Sequence, residues 1–194
     1  WCVQQGFPIT VGETKRVEQP KAYKEATEKY SGQVKLSPDG MDLANYVAGQ
    51  PFPNVDPKDP QFVNKIMWNF ENGWVKGLDD SDLRNFDADT GTITANQPMS
   101  VERHFLLDHL RRLFWTGRLY VEPMPDKPNP NGYRAQQGLY PILEPFDLKG
   151  VGALGNRYID FKKQDDSWLY LPSLRRVRRL STAQRSDALF GQDT

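Results

Sequence analysis

The sequence has almost no cysteine and no net charge, two features that often indicate a compartment or a charged partner. Its single cysteine, Cys2, cannot form a disulfide within the chain, so disulfides do not indicate the compartment. Lysine and arginine together number 25, as do aspartate and glutamate, which argues against nucleic acid as a partner because nucleic-acid binders carry a net basic field. No apolar run is long enough to cross a membrane as a helix. The 194 residues are enough for one domain with a core of its own.

The residue patterns of common catalytic and metal sites are also missing. The two histidines, His104 and His109, are five residues apart, whereas a zinc-chelating helical pair is four apart. Residues 79–82 are acidic but lack the glycine and closing glutamate of a calcium loop, so they predict a solvated turn. The glycines of residues 150–155 do not follow a strand–turn–helix layout, which a dinucleotide site needs. We therefore expect that the protein is not an enzyme and that it binds no metal and no cofactor.

Two helices are predicted in the first part of the chain. Residues 20–30 begin with a proline, contain a Glu–Lys pair at i,i+4 and end at Ser-Gly. A second helix starts after Asp59-Pro60, and Phe62, Ile66 and Phe70 at i, i+4 and i+8 predict its buried stripe. A short strand is expected between them, over residues 33–36.

The middle of the chain gives mixed signals. Leucine and phenylalanine at 106, 110, 113 and 114 follow helical spacing, so residues 100–114 are predicted as a third helix. Residues 119–121 directly after it are strand-like, which leaves the boundary open. A hairpin is predicted within residues 86–97, with its turn at Asp-Thr-Gly (89–91).

The last third predicts an antiparallel meander. Strands are expected over residues 139–147, 151–161 and 168–171, and a short strand over 174–180 follows Pro172. Residues 124–132, rich in proline and asparagine, predict a loop. Helices early and strands late indicate an α+β fold in a single domain, 1–194, with a helix-rich part (about 1–117) and a strand meander (about 118–194).

Residues 166–180 are the most informative segment, and they begin with a strand after a turn at residues 164–166. Trp168 and Tyr170 alternate onto one face, and Leu169 and Leu171 onto the other. Because both faces are apolar, we expect this strand to be covered on both sides. Two interpretations remain open: the aromatic face lines a ligand cavity, or the strand belongs to an ordinary sandwich core.

Four arginines follow this strand, at 175, 176, 178 and 179. A solvated strand face, a site for an anionic lipid head group or membrane surface, and a nucleic-acid patch are the three interpretations. Alternation prevents all four side chains from pointing the same way.

Several segments together resemble the bacterial domain-of-unknown-function family 1329. They are Tyr-Val-Ala-Gly-Gln-Pro-Phe-Pro (46–53), Lys-Ile-Met-Trp-Asn (65–69), Trp-Leu-Tyr-Leu-Pro-Ser-Leu-Arg-Arg-Val-Arg-Arg (168–179) and the helix at 21–32. The 168–179 segment is also similar to one in outer-membrane lipoprotein-sorting proteins. These resemblances imply that the chain is an envelope protein of Gram-negative bacteria. It would be exported by a signal peptide and located in the periplasm or at the outer membrane.

The resemblance also implies an architecture. It is an incomplete antiparallel half-barrel packed around helices, with an apolar cavity for acyl chains. Family members are longer than this chain, so further strands are expected beyond residues 190–193. The family has no established catalytic residues to carry over.

The expected function is that of a periplasmic carrier that binds a lipid or another hydrophobic molecule without catalysis. Trp168 and Tyr170 are the predicted cavity lining, and Arg176 and Arg178 the predicted contacts to an anionic head group. Envelope transporter proteins and peripheral contact with a membrane are the other expected partners. The alternative is a structural or adaptor component of an envelope transport complex, whose aromatic strand is covered by protein.

Overall fold

The computed structural model describes residues 4, 6–7, 10–76 and 79–181. Two α-helices precede most of the strands: α1 (Lys21–Tyr30) and α2 (Phe62–Glu71), both at the predicted places. Between them lies a two-stranded antiparallel sheet of β1 (Lys35–Leu36) and β2 (Leu43–Ala44). Cys2 and residues 190–193 lie outside the described residues.

The helices share a small core with the proline-rich segment that joins them. Tyr23 and Ala26 on α1 are buried, together with Ala48 and Phe52 from the segment. The side chain of Asn69 on α2 bonds the backbone of Phe52 in both directions, accepting from its N–H and donating to its carbonyl. These bonds satisfy an irregular backbone that three nearby prolines exclude from regular structure.

The predicted buried stripe of α2 is wrong. Ile66 is 42% exposed and Phe70 is 56% exposed, whereas Trp68 is the buried residue of the helix. The indole Nε1–H of Trp68 donates to the carbonyl of Gly40 at 2.9 Å, and its ring meets Phe161 edge-on at 4.5 Å. A large ring with a satisfied polar atom therefore sets the rotation of the helix, rather than the aliphatic spacing.

A six-stranded antiparallel sheet forms the rest of the described fold. Its strands neighbour one another in chain order and the sheet does not close, which confirms the α+β class and the meander. The strands are β3 (Asp80–Thr92), β4 (Ser100–Phe114), β5 (Tyr133–Glu144), β6 (Gly152–Tyr158), β7 (Asp166–Leu171) and β8 (Arg176–Arg179). Residues 124–132 are neither helix nor strand, as predicted, and residues 119–121 are not a strand.

The helix predicted over residues 100–114 is wrong, because these residues form β4. The strand is paired along one side with β3 and along the other with β5. Leu106 and Leu110 share one parity and Leu113 the other, so the apparent helical stripe divides between the two faces of the sheet. Pairing on both sides overrides a weak local helical preference. The part expected to be helix-rich, residues 1–117, therefore also contains the two longest described strands.

The predicted hairpin turn is displaced as well. Residues 89–91 lie inside β3, and the chain reverses over residues 93–99 instead. The register shifts between Thr90 and Gly91, which marks a bulge rather than a turn. An Asp-Thr-Gly sequence suits either structure, and the length of the pairing with β4 decides between them.

The helices meet the sheet at the end where β4 stops and β5 begins. Glu71 at the end of α2 forms an ion pair with Arg134 on β5 at 2.7 Å and also approaches Arg157 on β6 at 3.6 Å. The Trp68–Phe161 contact lies at the same end. This arrangement leaves the middle of the sheet accessible, where Leu154 is 43% and Tyr170 41% exposed.

Candidate functional site

Rows of directly paired residues define the two faces of the sheet, because cross-strand partners share a face. One row crosses all six strands through Asp82, Arg111, Gly138, Leu154, Trp168 and Arg179. We call the face that carries this row the trough face and the other the reverse face. The row is charged on β3 and β4, apolar or without a side chain from β5 to β7, and charged again on β8.

An apolar trough of about 700 Å³ lies on the trough face, over β5 to β8. Its lining includes Tyr140, Gly152, Leu154, Trp168, Tyr170 and Val177. Leu154 is 43% exposed, Tyr170 41% and Val177 63%, so the apolar lining is open to water. Gly152 pairs with Tyr170 and lies close against Tyr140, since a Cβ there would meet the Tyr140 Cβ at 3.1 Å. A contiguous apolar surface of this kind marks a site for a ligand or a partner.

A second depression, of about 460 Å³, adjoins the trough. Tyr140 and Leu154 line both cavities, and the second one extends over Gly138 to Asp82 and Arg111 on β3 and β4. The two cavities therefore form one surface, apolar over β5 to β8 and polar over β3 and β4. We call this polar part the charged end.

Asp82 is the centre of the charged end. Its carboxylate lies 2.8 Å from His109 Nδ1, 3.3 Å from Arg111 Nε and 3.5 Å from Arg84 Nε. The hydrogen bond with His109, followed by the charge of Arg111, lowers the pKa of Asp82. Asp82 therefore remains ionised and holds the surrounding cationic side chains on this face.

Tyr140 connects the charged end to the trough. Its ring stacks on His109 with 5.7 Å between the centroids, and the guanidinium of Arg111 lies 5.7 Å from the ring centre. Arg111 Nη1 also donates to the Tyr140 hydroxyl at 3.0 Å. The hydroxyl thus accepts one hydrogen bond and keeps its own proton to donate.

The opposite end of the row is neutralised locally. Arg179 on β8 bonds Asp166 on β7, and Asp166 also accepts from the Tyr158 hydroxyl. These bonds, that of Tyr158 first, lower the pKa of Asp166, and the hydrogen bond to Asp166 raises the pKa of Tyr158 to about 12. The charge of the Arg179 guanidinium is therefore balanced by that of the Asp166 carboxylate.

Comparison with known proteins identifies the family. The sequence model of the family DUF1329, which is described as a protein of unknown function, matches residues 3–193. The chain belongs to this family. No curated protein and no solved structure matches this DUF1329 chain. Neither α1 nor α2 has the length and apolar character that a membrane-crossing helix needs, and the search covered only the described residues.

The structure brings together two of the four predicted site residues of this DUF1329 chain. Trp168 and Tyr170 both line the trough. Arg176 and Arg178 pair with Leu171 and Leu169, which places them on the reverse face, away from the aromatic pair. The expectation that β7 is covered on both sides is wrong for the described residues, since Tyr170 is 41% exposed in the trough.

Sequence reasoning missed the charged end because its members come from three strands. The sequence patterns predict a turn for Asp82 and a helix for His109 and Arg111, and none of them indicates a role for Tyr140. The available signal was the alternation of His109, Arg111 and Leu113, which share one face only if residues 100–114 are a strand. The helical spacing of the leucines obscured it.

The solvated turn predicted at residues 79–82 is wrong for Asp79. Its side chain is buried and accepts hydrogen bonds from the backbone N–H groups of Leu119, Tyr120 and Val121 at 2.6–2.7 Å. The next residue, Asp80, pairs with the fully buried guanidinium of Arg118 at 2.9 Å. These bonds fix the connection between β4 and β5, so the acidic cluster has a structural role at this end.

Among the described residues, one group has the composition of a metal site: Asp87, Asp89 and His104, all exposed, with ligand atoms within 4.8 Å of one another. His104 Nδ1 lies 2.8 Å from Asp89 Oδ1. That hydrogen bond, followed by the charges of the nearby carboxylates, raises the pKa of His104. A proton therefore competes with any cation for the imidazole.

Proposed function

We propose that this protein binds and carries a lipid or another hydrophobic molecule in the bacterial envelope, without catalysis. The observation that supports this function is the open apolar trough on one face of the sheet. Leu154, Tyr170 and Val177 expose apolar surface there that a ligand would cover. Removing apolar surface from water stabilises a complex by about 25 cal/mol per Å² before the costs of association.

The proposed carrier function also requires a sheet that curves around its ligand. We propose that the open meander is part of a half-barrel like that of the lipoprotein-sorting proteins, in the periplasm or at the outer membrane. The unclosed antiparallel sheet with one apolar face supports it. The similarity of residues 168–179 to a segment of those proteins is the second support.

A glycine-to-leucine substitution provides a direct test. A Cβ on Gly138 of the trough face would meet its nearest described atom at 3.7 Å, which is an ordinary contact. We expect Gly138→Leu to fill the depression between Leu154 and Arg111, where the apolar trough continues into the charged end. Binding of a fluorescent fatty-acid probe should then weaken about tenfold, while the fold is retained. The measurement is a probe titration of the purified protein.

Gly155→Leu is the matched control. A Cβ on Gly155 meets nothing closer than 3.8 Å, and its pairing with Ser167 places it on the reverse face. We expect the control to bind the probe as the wild type does. Equal loss in both variants, or absence of binding in the wild type, would contradict the carrier function.

The adaptor function would use the same trough, covered by an envelope protein instead of a small molecule. Native mass spectrometry of the purified protein separates the two functions. A copurified lipid supports the carrier, whereas a stable protein partner without lipid supports the adaptor.

A further inference from the structure

We propose that the ligand is an amphiphile with an anionic head group, and that Arg111 and the Tyr140 hydroxyl bind this head group at the charged end. The inference rests on the proposed function, because it assigns the chemistry of the molecule in the trough. It names two head-group residues that are different from Arg176 and Arg178, which lie on the reverse face.

The first argument is continuity between the apolar and polar parts of the surface. Tyr140 lines both, and Gly138, the direct cross-strand partner of Arg111, adds no side chain between that arginine and Leu154. From β5 to β8 the trough spans three strand spacings, or about 14 Å. A ligand lying across the strands therefore has room for an apolar body that ends beside Arg111.

The second argument is the hydrogen-bonding capacity of Arg111. Within the described part of the chain, its guanidinium uses Nε toward Asp82 and Nη1 toward Tyr140, and Nη2 has no polar partner. The side chain is 48% exposed. Together with the proton of the Tyr140 hydroxyl, the free N–H groups provide adjacent donors of the kind that carboxylates and phosphates accept.

The third argument is charge. The Asp82 carboxylate is shared by the guanidinium groups of Arg84 and Arg111, whereas Arg179 at the other end has Asp166 to itself. The same depression is lined by Asp80, whose carboxylate pairs with Arg118 at 2.9 Å, and by Arg112, which donates to Gln137 at 2.8 Å. His109 lies against Asp82 and the Tyr140 ring. The two arginines thus share one described carboxylate partner, and an anionic head group would provide a second.

The test compares amphiphiles that differ only in the head group. Dodecyl phosphate, dodecanoate, dodecyl maltoside and dodecyl trimethylammonium are titrated into the purified protein by calorimetry, below their micellar concentrations. We expect the two anions to bind about tenfold more tightly than the neutral maltoside, as charge-assisted hydrogen bonds imply. The order of the two anions distinguishes a phosphate from a carboxylate ligand.

Two variants should reduce this preference, and one should not. Arg111→Gln should remove it and Tyr140→Phe should reduce it, with the affinity for dodecyl maltoside unchanged. Arg178→Gln is the matched control, because it removes the same charge from an exposed strand position on the reverse face. The control should bind every probe as the wild type does.

The failures of the two proposals are distinguishable. If all head groups bind equally and Gly138→Leu weakens them all, the carrier function stands and the head-group assignment is overturned. If Arg178→Gln or Arg179→Gln loses the preference while Arg111→Gln keeps it, the assignment is also overturned. If no amphiphile binds the wild type, both proposals fall.

Discussion

Two charged side chains, Asp79 and Arg118, are buried although residues of their types are usually exposed. Each is fully engaged. Arg118 Nε lies 3.1 Å from the carbonyls of Val121 and Pro123, and its Nη1 bonds both Asp80 and the carbonyl of Phe114. Asp79 satisfies three consecutive backbone N–H groups in the same connection. Burial of these charges is tolerated because backbone groups of the connection and the Asp80 carboxylate satisfy them with hydrogen bonds.

At the scale of single residues we predict that Asp79→Ala lowers the free energy of unfolding by about 3 kcal/mol, because it leaves three backbone donors without their acceptor. Urea denaturation measures the change. Asp87→Ala is the control, since the Asp87 carboxylate is 65% exposed, and it should change stability by less than about 0.5 kcal/mol. Similar losses in both variants would show that the buried carboxylate does not organise this connection.

The β3–β4 hairpin shows how pairing decides the character of an element. Its two strands have 13 and 15 residues, longer than most strands in globular proteins. Near the tip, Gly91 allows the backbones to approach so closely that a Cβ there would lie 1.9 Å from the carbonyl oxygen of Ser100. The bulge at this position therefore depends on a residue without a side chain.

At the element scale we predict that Gly91→Ala destabilises the protein by about 1–3 kcal/mol, because the added methyl group forces the strands apart. Hydrogen exchange should show faster opening of amides near the tip of β3 and β4. Gly138→Ala, also within a strand, meets ordinary contacts only and should stay within about 0.5 kcal/mol of the wild type. Unchanged exchange in Gly91→Ala would contradict the close approach of the two backbones.

The molecule as a whole depends on a narrow junction between its helices and its sheet. Glu71 and Arg134 form an ion pair there whose side chains are only 24% and 12% exposed. Arg134 also lies 5.0 Å from the centre of the Phe161 ring, which contacts Trp68 of α2. With the helices held at one end, the trough face stays open for a ligand.

At the scale of the whole molecule we predict that Glu71→Gln lowers the free energy of unfolding by about 2 kcal/mol, since Arg134 loses its partly buried counter-charge. Limited proteolysis should then cut more readily between α2 and β3. Glu25→Gln removes the same charge from an exposed i,i+4 pair with Lys21 and should have almost no effect. Equal resistance of Glu71→Gln and wild type to the protease would argue against this ion pair as the junction.

Local sequence determined the elements whose signals agree over short distances. The proline and the apolar face of residues 20–30 correctly predicted α1, because a helix of that length is specified by its own termini and spacing. The alternation at residues 168–171 correctly predicted β7, which begins two residues earlier at Asp166, and the common face of Trp168 and Tyr170. These features need no knowledge of distant partners.

Tertiary structure decided which residues meet across the sheet. Residues 100–114 become a strand only because β3 and β5 pair with them, and that pairing brings Arg111 beside Gly138 and Tyr140 beside His109. The same register places Arg178 on the reverse face and Arg179 on the trough face. A shift of one residue would exchange the faces, and register is fixed by contacts between strands rather than by any one strand. The charged end is therefore a product of the assembled sheet, although every one of its residues is visible in the sequence.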